Sequence, residues 1–299
     1  MDGGDVQIFF QLVLSGLIVG SIYGLVALGF VLIYKATNVV NFAQGELMML
    51  GAYFCYYLVS SYQIPFVPAF LITLVFSSLL GILIEVAILR PLVGETVFSV
   101  IMVTVGLSTL LRSVVGLIWG HDQYVFPSPF SQKTLRFFDL VILPVELTAI
   151  VSVLGLFVMC YLFFKYSRIG VAMRATAFNQ KYAFLMGISV RKIFSLSWVM
   201  ASVVASIGGI LFASMSNLDT NMSLIGLKVF PAVVLGGIDS IGGAILGGLI
   251  VGLTENLAGG YLSQVFGSGV KELSAFFVLL LTLMIRPYGL FGKKEIIRV

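Results

Sequence analysis

Long apolar runs, each ended by a few polar or charged residues, are the main pattern of this chain. Six of these runs are long enough to cross a bilayer as helices, and a more broken apolar region at about 229–285 follows them. These runs lie at about 6–34, 39–62, 66–89, 97–119, 140–164 and 194–215. Backbone polar groups inside lipid must be hydrogen-bonded within their own segment, which favours helices. The pattern predicts an all-α polytopic membrane protein with about eight transmembrane helices, and with broken or re-entrant segments in the last third.

Glycine and polar residues interrupt the apolar pattern of that last third. The interrupting residues are Pro231, Gly236, Gly237, Asp239, Ser240, Gly242 and Gly243. Non-helical backbone at membrane depth must line a cavity or pack against protein, which suggests a translocation pathway. Close packing of helices through small residues is the alternative. Glu255, in the same region, needs a partner whether it lines a pathway or lies in an interface.

Composition strengthens the membrane prediction, because 60% of the residues are hydrophobic, 10% are charged and the mean hydropathy is +1.11. No polar or Pro/Ser-rich stretch is long enough to link two domains, so residues 1–299 are expected to form a single integral-membrane domain.

The first apolar run contains Gly16, Gly20 and Gly24 at four-residue spacing, which predicts a close contact with another helix. The acidic N-terminal stretch lacks the basic residues of a signal peptide, so no cleaved leader is expected.

Positive charge is concentrated in one loop between two apolar blocks, residues 165–194, which we call the basic loop. From 165 to 192 it contains no Asp or Glu, and its basic residues are Lys165, Arg168, Arg174, Lys181, Arg191 and Lys192. Loops of this composition lie in the cytoplasm, which places the N-terminus outside and the basic C-terminal tail, residues 286–299, inside. Because the charges of the chain mark its topology in this way, no nucleic-acid partner is expected.

The inner part of the basic loop has the pattern of a short capped helix. Asn179 can cap a helix over 180–186, and Gly187 stands where a helix ends with a residue of positive φ. Tyr182, Leu185 and Met186 then share one face. A helix this short is not stable alone and must dock on something. We predict a contact element for a cytosolic partner, and the alternative is a solvated loop that only joins two spans.

Polar side chains also fall at the start of the second apolar run, where Asn41, Gln44 and Glu46 lie at or just inside the membrane. In one interpretation Asn41 caps the helix and Glu46 lies near its positive end. In the other, the three residues belong to a pathway. Arg112, inside another apolar run, must either extend to the membrane surface or pair with an acid from another helix.

Other chemistry-bearing residues indicate little catalytic potential. Glu85, Arg90 and Glu95 predict a solvated charge cluster at a helix end. His121 is the only histidine and has no Cys or acid at ligand spacing, so neither a metal site nor an intramembrane enzyme is expected. Cys55 and Cys160 lie in apolar runs and predict no disulfide.

An ion-coupled secondary transporter is one function that this sequence allows. It would use carboxylates as proton or sodium sites, and the candidates are Glu46, Glu85, Asp239 and Glu255. The chain contains no G-x-x-x-x-G-K-[ST] phosphate-binding loop, so it cannot itself be the ATPase of a transport system.

Four segments in order carry a family resemblance: NFAQGELMMLGAY, YSRIGVAMRATAFNQKYAFLMGISVRK, GLKVFPAVVLGGIDSIGGAILGG and RPYGLFG. Together they resemble the integral permeases of the branched-chain amino-acid ABC importers, of the LivH type. The resemblance implies half of a translocation pathway, paired with a second homologous permease in a heterodimer. It also implies two cytosolic ATPase subunits that hold ATP and magnesium, and a periplasmic or lipid-anchored substrate-binding protein. The bilayer would be the cytoplasmic (inner) membrane of a bacterium or archaeon, and some relatives import urea, amides or small organic acids instead.

The resemblance further implies that the short helix of the basic loop sits in a groove of the ATPase. The candidate coupling residues are Arg174, Asn179, Tyr182, Ala183, Leu185, Met186, Gly187 and Ile188. The candidate pathway residues are Asn41, Gln44, Glu46, Gly236, Gly237, Asp239, Gly242, Gly243 and Glu255. This chain itself is expected to bind no cofactor and no metal.

Overall fold

A computed structural model of the chain describes residues 3–127, 135–137 and 140–292. Residues 293–299 of the basic tail, and part of the loop that follows His121, lie outside the described residues.

Helices account for most of the described chain, which confirms the all-α prediction. The helices are α1 (Gly3–Thr37), α2 (Gln44–Ser60), α3 (Phe66–Ile84), α4 (Val97–Trp119), α5 (Pro144–Tyr166), α6 (Arg168–Phe178), α7 (Gln180–Leu185), α8 (Val190–Met215), α9 (Ile225–Gly236), α10 (Ile241–Tyr261), α11 (Ser263–Phe266) and α12 (Val270–Ile285). A π-helical turn (Glu85–Leu89) and a 3-10 turn (Arg90–Leu92) extend α3, and another 3-10 turn (Thr220–Leu224) precedes α9. The pattern did not predict one small hairpin, in which strands β1 (Leu135–Phe137) and β2 (Leu140–Ile142) pair antiparallel.

Within the described residues, six helices are long and apolar enough to cross a membrane. They are Val6–Thr37, Phe66–Leu92, Val97–Trp119, Pro144–Tyr166, Val190–Met215 and Ile241–Tyr261. Two further apolar helices are shorter, since α2 has 17 residues and α12 has 16. The chain is therefore a multi-pass membrane protein, as the apolar pattern predicts.

The chain forms two compact units. The first contains Met1–Ala27, Phe130–Phe157 and Lys228–Val299, and the second contains Leu28–Pro129 and Val158–Leu227. That residues 1–299 act as a single integral-membrane domain remains a prediction.

A glycine contact between α1 and α10 holds the first unit together. The sequence GLIVG occurs in both helices, at 16–20 and at 248–252. A Cβ atom added to Gly20 would lie 2.8 Å from the carbonyl oxygen of Gly248, and one added to Gly16 would lie 2.9 Å from the Cα of Leu253. Such distances leave no room for a side chain, so the two backbones touch. The close helix contact predicted from the four-residue glycine spacing is present.

Glu255 lies in the same α1–α10 interface. The hydroxyl of Tyr23 donates a hydrogen bond to Glu255 Oε2 at 2.7 Å, and both residues are buried. The partner that this buried carboxylate requires is therefore a tyrosine of α1.

The interruption of the last third is a tight turn between α9 and α10. Ser240 caps α10 by accepting a hydrogen bond from the backbone N–H of Gly243 at 3.1 Å. The C-terminal segment then packs on the turn, because the N–H groups of Leu290 and Phe291 donate to the carbonyls of Leu235 and Gly236 at 2.8 and 3.1 Å. These bonds connect the GGIDSIGG and RPYGLFG motifs within the first unit.

The second unit is built around α8, which packs against α2 and α3. Trp198 of α8 is buried, and a Cβ atom added to Gly81 of α3 would lie 2.8 Å from its carbonyl oxygen. The hydroxyls of Ser77 and Ser206 share a hydrogen bond of 2.6 Å across the same contact. Phe54 of α2 stacks on Phe76 of α3 with ring centroids 4.0 Å apart.

The expected solvated cluster of Glu85, Arg90 and Glu95 is wrong for Glu85, whose carboxylate is buried, whereas Glu95 is exposed. Arg90 Nε and Nη2 donate to the two oxygens of Glu85 at 3.1 and 2.7 Å, and the hydroxyl of Ser195 donates to one of them at 2.6 Å. The π-helical and 3-10 turns after α3 bring Arg90 back to the acid five residues before it. A two-pronged arginine contact of this kind is a strong form of ion pair, and the Ser195 hydroxyl joins it to the start of α8.

Candidate functional site

The basic loop folds as two consecutive helices, and the sequence pattern predicted only the second. α6 begins at a Ser167 cap, whose hydroxyl accepts a hydrogen bond from the N–H of Ile169 at 3.2 Å. The buried residues of α6 are Gly170, Met173 and Thr176, of which only Met173 is strongly apolar. This weak apolar face explains why the pattern did not reveal the helix, although the Ser167 cap and the three-residue spacing are visible in the sequence.

The caps predicted for α7 are confirmed at both ends. Asn179 Oδ1 accepts a hydrogen bond from the N–H of Tyr182 at 3.1 Å. At the other end Gly187 has a φ of 82°, and its N–H donates to the carbonyl of Phe184 at 3.0 Å. The N–H of Ile188 donates to the carbonyl of Ala183, also at 3.0 Å, which completes a Schellman motif. The helix ends at Leu185, one residue before the predicted end.

Ala183 of α7 is buried, whereas the neighbouring apolar side chains of the helix are mostly exposed. Ala183 is 4% exposed, whereas Tyr182, Leu185 and Met186 are 68%, 76% and 82% exposed. Two phenylalanines, Phe178 and Phe184, are exposed beside them. We call Phe178, Tyr182, Phe184, Leu185 and Met186 the α7 surface. Arg174 and Lys181, also exposed, lie close to it in the chain. Several large apolar side chains exposed so close together are typical of a surface that binds another protein.

Contacts tie α6 and α7 to the ends of membrane helices in the second unit. Asn38, in the left-handed conformation just after α1, donates from Nδ2 to the carbonyl of Ala177 in α6 at 2.8 Å. Gln180 of α7 lines a cavity of about 260 Å³ together with Glu85 and Trp198. Asn38 therefore joins α6 to the end of α1, and α7 borders the same cavity as the buried Glu85.

Replacing Gly187 with alanine should weaken the end of α7. A side chain at positive φ costs roughly 1–2 kcal/mol, because the Cβ approaches the following carbonyl. We expect transport by the assembled system to fall about threefold or more, as a destabilised helix end populates the docked geometry less. Gly106→Ala in α4 is the matched control, since it has no positive φ and a Cβ there would meet nothing within 4 Å. Equal transport by both variants, measured as initial uptake rate, would contradict a role for the α7 end.

The second group of candidate residues lies where α2 begins beside the middle of α4. The N–H of Phe42 donates to the hydroxyl of Thr104 at 3.4 Å, and Arg112 Nη2 donates to Glu46 Oε1 at 2.8 Å. Thr104 lies seven residues after the start of α4 and Arg112 lies seven residues before its end. Each is therefore about 10 Å along the helix axis from the nearer end of α4. The second apolar run is therefore not helical from residue 39: the segment 38–43 enters the bundle before α2 begins at Gln44.

Asn41 does not cap α2, which corrects one of the two interpretations. The N-cap position is Ala43, and Asn41 Oδ1 accepts a hydrogen bond from the N–H of Ala43 at 3.0 Å. Asparagine closes local turns of this kind with a backbone N–H two residues on. Its Nδ2 donates to Gln44 Oε1 at 3.4 Å, and Gln44 Nε2 donates to the carbonyl of Ala201 at 3.3 Å.

Glu46 and Arg112 form an ion pair inside the second unit, so Arg112 pairs with an acid of another helix, as one of its two predicted alternatives requires. Glu46 is buried in the first turn of α2. The sequence shows that Arg112 needs a partner, but not which acid supplies it. Arg112 was not among the candidate site residues.

The remaining pathway candidates belong to the first unit. They are Gly236, Gly237, Asp239, Gly242, Gly243 and Glu255. All but Glu255 lie in or beside the α9–α10 turn, and Glu255 is bonded to Tyr23 farther along α10. Their assignment to a pathway stays a prediction, as does that of Asn41, Gln44 and Glu46. Among the described residues, no group of three or more His, Cys, Asp or Glu could hold a metal ion.

Comparison with known proteins decides the family. Residues 12–286 match the sequence model of the family described as "Branched-chain amino acid transport system / permease component". The chain belongs to this family. It is therefore a membrane permease subunit and not an enzyme, and the resemblance inferred from its four motifs is confirmed.

Relatives in this family cover almost the whole chain. It is 30% identical over 306 residues to the high-affinity branched-chain amino acid transport system permease protein LivH of Escherichia coli strain K12, covering 97% of this chain and 98% of LivH. It is 30% identical over 311 residues to the corresponding permease protein BraD of Pseudomonas aeruginosa, covering 99% of each. A probable LivH of Methanocaldococcus jannaschii is 29% identical over 94% of this chain and 92% of its own length.

A solved structure with a similar fold is PsaBC from Streptococcus pneumoniae in complex with Fab. The TM-score is 0.50 at 16% sequence identity, and the match covers 92% of this chain and 91% of that one. At this identity the likeness shows the fold alone.

Proposed function

We propose that the chain is the permease subunit of an ATP-binding-cassette importer that carries branched-chain or other small amino acids. It forms half of the translocation pathway beside a second, homologous permease. Two cytosolic ATPase subunits hold ATP and magnesium, and a periplasmic or lipid-anchored protein delivers the substrate. The substrate class is supported by the names of the LivH and BraD relatives.

The α7 surface is the observation that carries this proposal. It is a short helix, capped at both ends, whose inner side is buried and whose outer side exposes aromatic and aliphatic residues. Exposed apolar side chains are costly in water, and they lie here in a loop whose basic residues indicate the cytoplasm. A groove on an ATPase subunit is the partner that fits this surface, with Ala183, Gly187 and Ile188 keeping the helix in shape.

The mechanism we propose is alternating access. ATP binding closes the ATPase subunits, which pull on α7, and the contacts of Asn38 with Ala177 and of Gln180 with the Glu85 cavity pass the movement to the spans. The pathway then faces outward and receives substrate, and hydrolysis resets it. The membrane is the cytoplasmic membrane of a bacterium or archaeon, with the N-terminus outside, because the basic loop is inside.

An ion-coupled secondary transporter is the second candidate, and the carboxylates argue against it. Of its four candidate carboxylates, Glu85 is bonded to Arg90 and Glu255 to Tyr23. A proton or sodium site needs a carboxylate that can exchange its partner during transport. This alternative also gives the α7 surface no role.

One experiment separates the two. The complete complex is reconstituted in vesicles with ATP maintained on the ATPase side, and uptake of labelled leucine is measured with and without a proton uncoupler. We expect uptake to require ATP and to be unchanged by the uncoupler. Collapse of uptake with the uncoupler, at constant ATP, would favour the secondary transporter.

A further inference from the structure

Two pairs of residues join α2 to α4 at matching positions. Glu46 of α2 pairs with Arg112 of α4 at 2.8 Å, and seven residues later in each helix the rings of Tyr53 and Trp119 lie 5.6 Å apart. Seven residues are about two helical turns. We call Glu46, Tyr53, Arg112 and Trp119 the polar seam. All four lie within the second unit.

The polar seam contains hydrogen-bond donors that no acceptor in the described chain satisfies. They are the Tyr53 hydroxyl, Arg112 Nε and Trp119 Nε1, all of them buried atoms. Tyr53 is fully buried as a residue. Leaving buried donors without partners costs stability, so such groups call for an explanation. What the three share is the ability to donate to an acceptor, and an anionic oxygen is the strongest acceptor available.

Arg112 is also partly exposed. Its side chain is 39% exposed although it lies well inside α4, about 10 Å from the nearer end of the helix. A guanidinium in contact with hydrocarbon is costly, and a polar space beside the exposed part of Arg112 would remove that cost. α2 begins at the same level, and the positive end of a helix favours an anion.

From these observations we infer that the polar seam binds the charged groups of the amino acid as it passes. Arg112 receives the substrate carboxylate and Glu46 receives the ammonium group, and the Tyr53 hydroxyl and Trp119 Nε1, about 10 Å farther along the helices, are the next donors that the carboxylate meets. This inference rests on the proposed function and adds to it the residues that recognise the backbone of the substrate. In this assignment the polar seam does not contact the side chain of the transported amino acid.

Charge complementarity gives the seam a preference among small solutes. One cation and one anion side by side match a zwitterion, whose two charges exchange places with those of the ion pair. A neutral amide or urea offers no charge to either residue, and an organic anion would leave Glu46 facing a like charge. The seam therefore favours α-amino acids over the other solutes that related importers carry.

The first test replaces both charges at once, as Glu46→Gln with Arg112→Gln. Two amides can bond to each other, so no unpaired charge is buried. In vesicles containing the complete complex, we expect leucine uptake to fall by about ten- to one-hundred-fold, the effect of losing charge-assisted hydrogen bonds. ATP hydrolysis and the thermal midpoint of the purified complex should stay near those of the unchanged complex.

The matched control is Lys228→Gln with Glu272→Gln, which removes an ion pair of 2.6 Å in the first unit. Uptake by this control should stay within about twofold of the unchanged complex, because the pair is partly exposed. Full uptake by the Glu46/Arg112 variant would overturn the inference. So would the joint loss of uptake, ATP hydrolysis and complex stability, since the pair would then be structural.

The second test, Tyr53→Phe, removes one oxygen atom and keeps the ring. Because that hydroxyl has no partner in the described chain, the variant should be as stable as the original or more so. We expect uptake to fall about fivefold or more, the cost of one hydrogen bond to a charged group. Tyr57→Phe is the control, since Tyr57 is partly exposed and its ring also packs on Trp119.

A purely structural Tyr53 would give a stabilised complex with unchanged uptake, and that result would remove Tyr53 from the seam. The proposed function itself is tested by a different result. If the unchanged complex showed no ATP-dependent uptake of any amino acid, the importer assignment would fail, whatever the variants do.

Discussion

Gly252→Leu is expected to prevent α1 from packing on α10 and to abolish a stable complex. The Cα of Gly20 and the backbone of Gly16 stand where a side chain at Gly252 would go. Overpacking a tight contact costs about 1–3 kcal/mol and sometimes more, and here the obstacle is backbone that cannot rotate away. The thermal midpoint of the purified complex, measured in detergent, should fall by several degrees or the protein should fail to accumulate in the membrane.

The control for this variant is Gly155→Leu in α5, where an added Cβ would meet nothing within 4 Å. A thermal midpoint of Gly252→Leu equal to that of the control would mean that α1 and α10 do not touch as described. Glu255 would then also lack the Tyr23 hydroxyl as its partner.

Leu185→Ser combined with Met186→Ser is expected to uncouple the permease from its ATPase. Both side chains are mostly exposed, so the fold should not change, but the apolar part of the α7 surface would be lost. A hot-spot residue at the centre of an interface contributes about 2 kcal/mol or more, and the loss of one such contact would lower uptake by about tenfold or more. ATP hydrolysis stimulated by the loaded binding protein should fall with it.

Val265→Ser with Phe266→Ser in α11 is the matched control, because these side chains are as exposed as Leu185 and Met186. If both double variants reduced transport equally, the loss would reflect a general change of exposed apolar surface. If the α7 variant transported normally, its surface would not be the contact with the ATPase.

Local chemistry explains why α7 could be predicted and the polar seam could not. Asn179 and Gly187 determine the helix ends through backbone geometry within a few residues, and that information is contained in the sequence around them. Glu46 and Arg112 are 66 positions apart, and only the packing of α2 on α4 brings them together. The sequence shows that each charge needs a partner, but several acids could have served.

The interpretations that were wrong share a physical cause. Asn41 bonds to Ala43 because the chain turns before α2 begins, and an apolar run gives no sign of such a turn. Glu85 is buried because a π-helical turn brings Arg90 back over it, which no helical periodicity predicts. α6 was missed because its buried side offers little apolar surface. In each case the structural detail depends on local backbone geometry or on packing that hydrophobic periodicity does not show.

The measurement that tests the central claim most directly is site-specific cross-linking from α7 in the assembled complex. A photoreactive amino acid is placed at Leu185, and in a separate control at His121, which lies in the loop predicted to be outside. We predict that the Leu185 probe links to the ATPase subunit, that ATP changes the yield, and that the His121 probe gives no such product. A transport-active complex in which the Leu185 probe never reaches the ATPase would contradict the account.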